Sequence, residues 1–254
     1  MNNVIFFSKK ELVEYWRTKK LIVLWIAFAA LGIMSPLFAK LMPQILQSSF
    51  SDTMVIEVPT PTSIDSWVQF YKNISQIGIY LFIIMFSGIV NREVTKGTLI
   101  NLVTKGLDRA VIIVSKNIVM CILWTLVLTT SFIITLGYTL YYFPDHESTQ
   151  LLAAFLLLWM FGLFMISVIL LSSTLFNSIY GSLFATIITI ISLYVVSLWD
   201  KAVYWNPISL MSYNVAVVQG QELWSNFTPS IVLSVVLALL FVILAVVVLK
   251  GKKL

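Results

Sequence analysis

Residues 148–199 read STQLLAAFLLLWMFGLFMISVILLSSTLFNSIYGSLFATIITIISLYVVSLW, a run of 52 residues without a formal charge. As one helix at 1.5 Å per residue it would measure about 78 Å, against a hydrocarbon core about 30 Å thick. The run must therefore fold back on itself. The turn falls at Phe176-Asn177-Ser178-Ile179-Tyr180-Gly181, which divides the run into spans of about 150–175 and 181–199. Composition points the same way. The 254-residue chain is 59% hydrophobic and 11% charged, whereas globular domains carry about 25% charged residues. An ordinary soluble domain is excluded, and so is disorder, which needs low hydrophobicity and high net charge.

Working outward, apolar runs of crossing length recur at about 21–42, 68–91 and 112–142 on the N-terminal side and at about 229–249 on the C-terminal side. In the last, Pro229 sits in the first turn, where a helix tolerates it. The count is six, and the predicted fold is an all-α integral membrane protein. Lys19 and Lys20 precede the first run as they would in a signal peptide. That run is longer than a normal apolar signal core and no small-x-small cleavage site follows it, so it reads as a retained span.

The net charge of +5 becomes informative once it is divided between the two sides. Six spans put both termini on one side, together with the loops after the second and fourth spans. That side holds about +9 and the other about −4, so the termini are predicted to be cytoplasmic, in a cell membrane. The basic surplus is then an orientation signal plus attraction to anionic lipid, and nucleic acid is not needed as a partner.

Three segments are not simple spans. Residues 4–20 are too charged to cross. At 100° per residue Ile5, Phe6, Leu12, Val13, Tyr15 and Trp16 share one broad face, and Lys10, Glu11, Glu14 and Arg17 share the other, with Lys9 and Phe7 out of place. This predicts an interfacial helix with Tyr15 and Trp16 at headgroup depth. A plain juxtamembrane anchor is the alternative. Between the second and third spans, Gly97 interrupts the chain, Thr98 can cap a short helix, and Leu99, Leu102 and Val103 follow at i, i+3 and i+4. Gly106 closes it. A short helix with an apolar stripe and basic surroundings, at about 97–105, reads as a docking element for a soluble partner. The third segment, about 207–227, follows Trp205-Asn206-Pro207, is mostly apolar and ends its first part at Gly220. That first part, 208–218, is only about 11 residues and too short to span. A re-entrant or interfacial pair of short helices and an ordinary amphipathic loop helix are both open.

Glu93, Gly97-Thr98, Leu102, Arg109 and Lys116 together resemble the pattern after the second span of ABC-2 type permeases, the membrane subunits of many bacterial ATP-binding-cassette exporters. The sequence departs from that pattern at Lys105-Gly106, where the family shows a proline, and at Asp108, where it shows a serine. The resemblance implies that residues 4–20 are the connecting helix and that about 97–105 form the coupling helix on a separate ATPase subunit. Glu93, Lys96, Arg109 and Lys116 would orient that lever, and Leu99 and Leu102 would be its docking contacts. It also implies a second permease subunit, identical or different.

The chemistry missing from the sequence fits that division of labour. No Gly-rich Lys-Ser/Thr phosphate loop is present, nor Gly-x-Ser-x-Gly, nor His-Glu-x-x-His. One cysteine, Cys121, and one histidine, His146, offer no disulfide and no histidine metal site. The expectation is no catalytic site and no cofactor on this chain, with ATP and magnesium on the partner. No ionisable residue lies mid-span, which argues against a proton-coupled pathway. Thr125 and Thr129, Thr135 and Thr139, and Gly181 and Ala185 read as helix-packing pairs. Trp25, Phe28, Phe82 and Phe86 are candidates for a hydrophobic route, with lipid or neighbouring helices as the alternative. The resulting expectation is export of a hydrophobic or amphipathic cargo such as an antimicrobial peptide. The rival is a membrane scaffold or sensor that uses the same fold without transport.

Overall fold

The computed structural model describes residues 2–50, 60–95, 97–104, 106–145 and 148–252, without the side chains at 2, 46–50, 101 and 102. Among these residues the elements are helical throughout. Six of the helical stretches are long and apolar enough to cross a membrane: Lys20–Ile45, Ser63–Thr95, Arg109–Tyr142, Leu151–Leu175, Ile179–Val196 and Trp224–Gly251. The chain is an all-α, multi-pass membrane protein.

Helix α1 (Asn2–Arg17) precedes the first span, α2 (Lys20–Phe50). The corner between them is made at Lys19, whose φ of 57° is left-handed. The second span is discontinuous. It comprises α3 (Ser63–Asn73), one π-helical turn (Ile74–Gly78), α4 (Ile79–Phe86), a turn, and α5 (Asn91–Thr95). It therefore begins five residues before the predicted 68. Thr62 and Asp65 set that start: the Thr62 amide donates to Asp65 Oδ2 at 2.9 Å, and Asp145 Oδ2, from the loop beyond the third span, accepts from the Ser63 amide at 2.8 Å. Two carboxylates thus meet the positive end of the helix. At the other end the turn at 87–90 exposes backbone donors, and Ser173 Oγ accepts from the amides of Val90 (2.8 Å) and Asn91 (3.4 Å).

Short α6 (Thr98–Thr104) lies between glycines with left-handed φ, Gly97 at 68° and Gly106 at 88°. The long α7 (Arg109–Tyr142) is the third span, α8 (Leu151–Leu175) the fourth and α9 (Ile179–Val196) the fifth. The predicted reversal inside the charge-free run falls between α8 and α9, where Ser178 Oγ accepts from the Gly181 amide at 3.0 Å and caps α9.

Across the segment predicted at about 207–227 the chain forms short helices rather than one loop helix. A 3₁₀ turn at Asp200–Trp205, α10 (Ser209–Ser212), α11 (Asn214–Val218) and a second 3₁₀ turn at Trp224–Phe227 pack against the end of the bundle. Ile208, Leu210, Val217, Val218 and Phe227 are buried there. The sixth span is α12 (Thr228–Gly251).

The core forms where α7 lies along α2 and α8 lies along α12. Pro36, within α2, lacks an N–H and leaves the Gly32 carbonyl without its in-helix donor. Thr135 Oγ1 of α7 donates to that carbonyl at 3.0 Å. Thr139 Oγ1 shares a 2.6 Å hydrogen bond with Ser66 Oγ. These threonines join helices, as packing residues should.

Candidate functional site

Basic side chains gather at one end of the bundle, and there α1, α5, α6, the start of α7 and the end of α12 meet. The centre of that end is an ion-pair network. Lys116 Nζ, two turns into α7, donates to Glu11 Oε2 of α1 at 3.0 Å and to Glu93 Oε1 of α5 at 2.9 Å. The side chains of Lys116, Glu11 and Glu93 are 1%, 3% and 14% exposed. Lys10 completes the network, 3.2 Å from both Glu11 and Glu14 and 3.8 Å from Glu93. Burying an ion costs several kcal/mol unless a partner compensates it. Each buried charge here has one, and the pairing fixes three chain segments to one another.

Burial pushes the Glu11 carboxyl up, but the Lys116 and Lys10 ammonium groups outweigh it and hold the group below its ordinary range. The Tyr15 phenol is pushed well up, first by burial and then by the Glu11 and Glu93 carboxylates. Carboxylate oxygens of Glu11, Glu14 and Glu93 come within 4.8 Å of one another, the spacing of a cation site. Lys10 and Lys116 already pair with these three carboxylates, so the arrangement is an ion-pair network.

The buried face of α1 differs from the predicted one. Phe7, Glu11 and Tyr15, at i, i+4 and i+8, face the protein. Ile5, Phe6, Val13 and Trp16 face outward and are exposed. Tyr15 is therefore covered by the protein, with its ring against Phe86 at 5.5 Å in an edge-on contact. Leu12 is partly buried against the core. Amphipathicity marks which side of the helix is greasy. It does not show that the polar side is the one the protein covers.

Leu99 of α6 is fully buried, so it packs α6 onto its own chain instead of standing free as a docking contact. Among the described residues of α6, Ile100 is the exposed apolar side chain. The Leu102 side chain and Lys96 lie outside the described residues. Thr98 is the first residue of α6, and its hydroxyl donates to the Glu93 carbonyl at 3.2 Å, so it ties α6 to the ion-pair segment rather than capping α6.

Arg109 does not belong to the network. Its Nη1 donates to the carbonyls of Leu249 (2.7 Å), Lys250 (2.9 Å) and Lys252 (2.8 Å), closing the C-terminal end of α12. Replacing Arg109 with Gln is expected to loosen this end by about 1.5–3 kcal/mol, the range for hydrogen bonds to a charged donor. Faster hydrogen exchange at the Lys252 amide, which bonds the Leu249 carbonyl, would report it; unchanged exchange would reject the assignment.

Of the aromatics considered for a route, Phe28, Phe82 and Phe86 are interior and face neighbouring helices. With Tyr15 and Trp124 they form a column: Tyr15 to Phe86 at 5.5 Å, Phe86 to Phe82 at 4.5 Å, Phe82 to Trp124 at 5.4 Å and Trp124 to Phe28 at 5.9 Å. Only Trp25 of the four is on the surface, its indole N–H donating to Thr130 Oγ1 at 3.3 Å. Sequence reasoning missed Lys10, Glu11 and Ser173 as members of this end. A sign of Glu11 was available: it shares a helical stripe with Phe7 and Tyr15.

A cleft of about 590 Å³ opens beside the network, between α1 and the end of the second span. Comparison with known proteins gives two findings. A family model described as "ABC-2 family transporter protein" matches residues 12–197. The chain is also 24% identical over 249 residues to YxlG of Bacillus subtilis (strain 168), described as an uncharacterized transmembrane protein, with 97% of this chain and 96% of that one covered.

Proposed function

Because the chain belongs to the ABC-2 family of transporter proteins, a permease component of a transport system, we propose that it exports a hydrophobic or amphipathic cargo, energised by ATP hydrolysis on a separate subunit. An antimicrobial peptide is a cargo of this class. The ATPase binds ATP and magnesium, and this chain supplies membrane passage without a catalytic site of its own. The basic end of the bundle faces the cytoplasm of a bacterial cell, following the positive-inside bias.

The observation that carries the reading is α6 itself: a short helix between two left-handed glycines, presenting Ile100 outward and held from behind by Leu99 and by the Thr98 bond to Glu93. Force applied to α6 would reach α1 and α7 through Glu93 and Lys116. The cargo route runs along the outer face of the second span, where Gln69, Lys72, Gln76 and Tyr80 form a polar stripe at i, i+3 and i+4 spacing with Lys72 and Gln76 exposed. Lipid tolerates such a stripe poorly, so a second permease subunit or a water-filled passage would cover it.

Affinity purification from the native membrane should recover an ATP-binding-cassette ATPase with the wild-type chain. Ile100→Asp should reduce that recovery about tenfold or more, the effect of losing an interface anchor. An ATPase recovered equally with both would refute docking at α6. ATP hydrolysis by the reconstituted complex that ignores every cargo offered would favour the scaffold or sensor reading.

A further inference from the structure

A second, smaller crevice of about 190 Å³ opens on the side of the bundle between α7 and α12, with Phe164 and Ser167 of α8 as its buried floor. Its rims are apolar and face outward. Val235 and Leu239 of α12 are exposed there, as are Ile118 and Ile122 on the adjoining face of α7. All of them lie within membrane-crossing helices.

One lining group does not match these walls. Asn117 of α7 is half-buried in the crevice, and among the described residues its amide makes no hydrogen bond. The Ser167 and Ser234 hydroxyls, by contrast, donate to carbonyls of their own helices, Phe164 at 2.6 Å and Ser230 at 2.7 Å. An amide facing hydrocarbon without an acceptor is costly.

Depth indicates which acceptor is available. Asn117 follows Lys116, whose ion-pair network carries the half-exposed Lys10 and Glu14, so headgroups and water give way to hydrocarbon near this level. Phospholipid ester carbonyls lie in that interfacial layer. Arg109 holds the Leu249 carbonyl, which brings the start of α7 level with the end of α12. Asn117 and Val242 therefore stand at similar depth. From there the lining continues along α12 to Ser234, about 12 Å deeper at 1.5 Å per residue.

We propose that the crevice seats one ester-linked acyl chain of a membrane glycerolipid. The Asn117 amide donates to the ester carbonyl, and the chain lies along Phe164, Ala238 and Leu239. The order of groups matches: a polar donor at carbonyl depth, then an apolar channel leading into the hydrocarbon. No particular headgroup is required. The inference depends neither on the cargo nor on the ATPase.

Native mass spectrometry tests it, with the full chain in detergent offered an equimolar mixture of diacyl phosphatidylcholine and its dialkyl ether counterpart of equal chain length. The first lipid retained should favour the ester form by about threefold to tenfold, the effect of one neutral hydrogen bond. Asn117→Leu should bring that ratio to about one. The ratio is read within each sample, and the wild-type arm needs no variant to fold. Equal retention of the two lipids by the wild type would overturn the proposal, as would an ester preference that survives Asn117→Leu. Retention of neither lipid would also overturn it. Palmitate that fully displaces the diacyl lipid at matched concentration would show that a free fatty acid, not a glycerolipid, is the occupant.

Discussion

Lys116→Met is expected to destabilise the folded chain by about 3–5 kcal/mol, the range for removing one partner of a buried ion pair. The side chain is 1% exposed and is the direct partner of two carboxylates on different segments. Without it Glu11 and Glu93 face each other with only the half-exposed Lys10 to divide between them. The discriminating control is the triple variant Lys116→Met, Glu11→Met, Glu93→Met. Replacing a buried ion pair or triad by apolar groups of similar volume is often close to neutral, so the triple variant should recover most of the loss. Thermal unfolding in detergent reads both. If Lys116→Met melts with the wild type, or if the triple variant is as unstable as the single one, the network is not what fastens α1 to α5 and α7.

The second large effect is expected at Gly162. A Cβ built there would fall inside the van der Waals envelope of the Trp124 indole, at Cε2, Nε1 and Cζ2. That indole cannot easily yield. Its N–H donates to the Trp159 carbonyl at 3.1 Å, and its faces and edges meet Phe28 and Phe82. Gly162→Ala should therefore lose about 3 kcal/mol, the upper end of the usual range for overpacking. Adding Trp124→Phe should restore part of it by making room. Gly137 is the internal control, because a Cβ there meets nothing within 4 Å. At that position Ala should be neutral or stabilising by up to about 1 kcal/mol on helix propensity. Equal melting temperatures for the two alanine variants would show that α7 and α8 are not held at this spacing by Trp124.

Much of the fold was legible because lipid enforces a simple grammar. Charge-free length set the number of crossings, and Asn177-Ser178 with Gly181 set the reversal inside the longest run. The glycines around α6 were legible for a similar reason, since left-handed backbone at 97 and 106 favours a residue without a Cβ. What the sequence concealed was which partner each stripe meets. Leu99 stands in an apolar stripe that reads the same whether its own chain or another protein covers it, and here its own chain does. Phe28, Phe82 and Phe86 were aromatic at membrane depth, yet only the packing of α2, the second span and α7 decides that they face inward. Glu11 looked like a solvated charge because its partner Lys116 stands 105 positions away. The early start of the second span depended on Asp145, again a contact between distant segments.

The order of the ion-pair residues along the chain also bears on how the protein is made. Glu11 and Glu93 precede Lys116, so both carboxylates leave the ribosome before the helix that carries their common partner. Glu11 lies on α1, ahead of the first span, and Glu93 on α5, at the end of the second, so both can stay in water until α7 arrives. Lys116 stands two turns from the start of α7, and its flexible stem can hold the ammonium at the surface while the rest of the span enters the membrane. No stage of synthesis then requires an unpaired ion at membrane depth. The network closes only when the third span is seated, which makes it a latch set by biosynthesis rather than an obstacle to insertion.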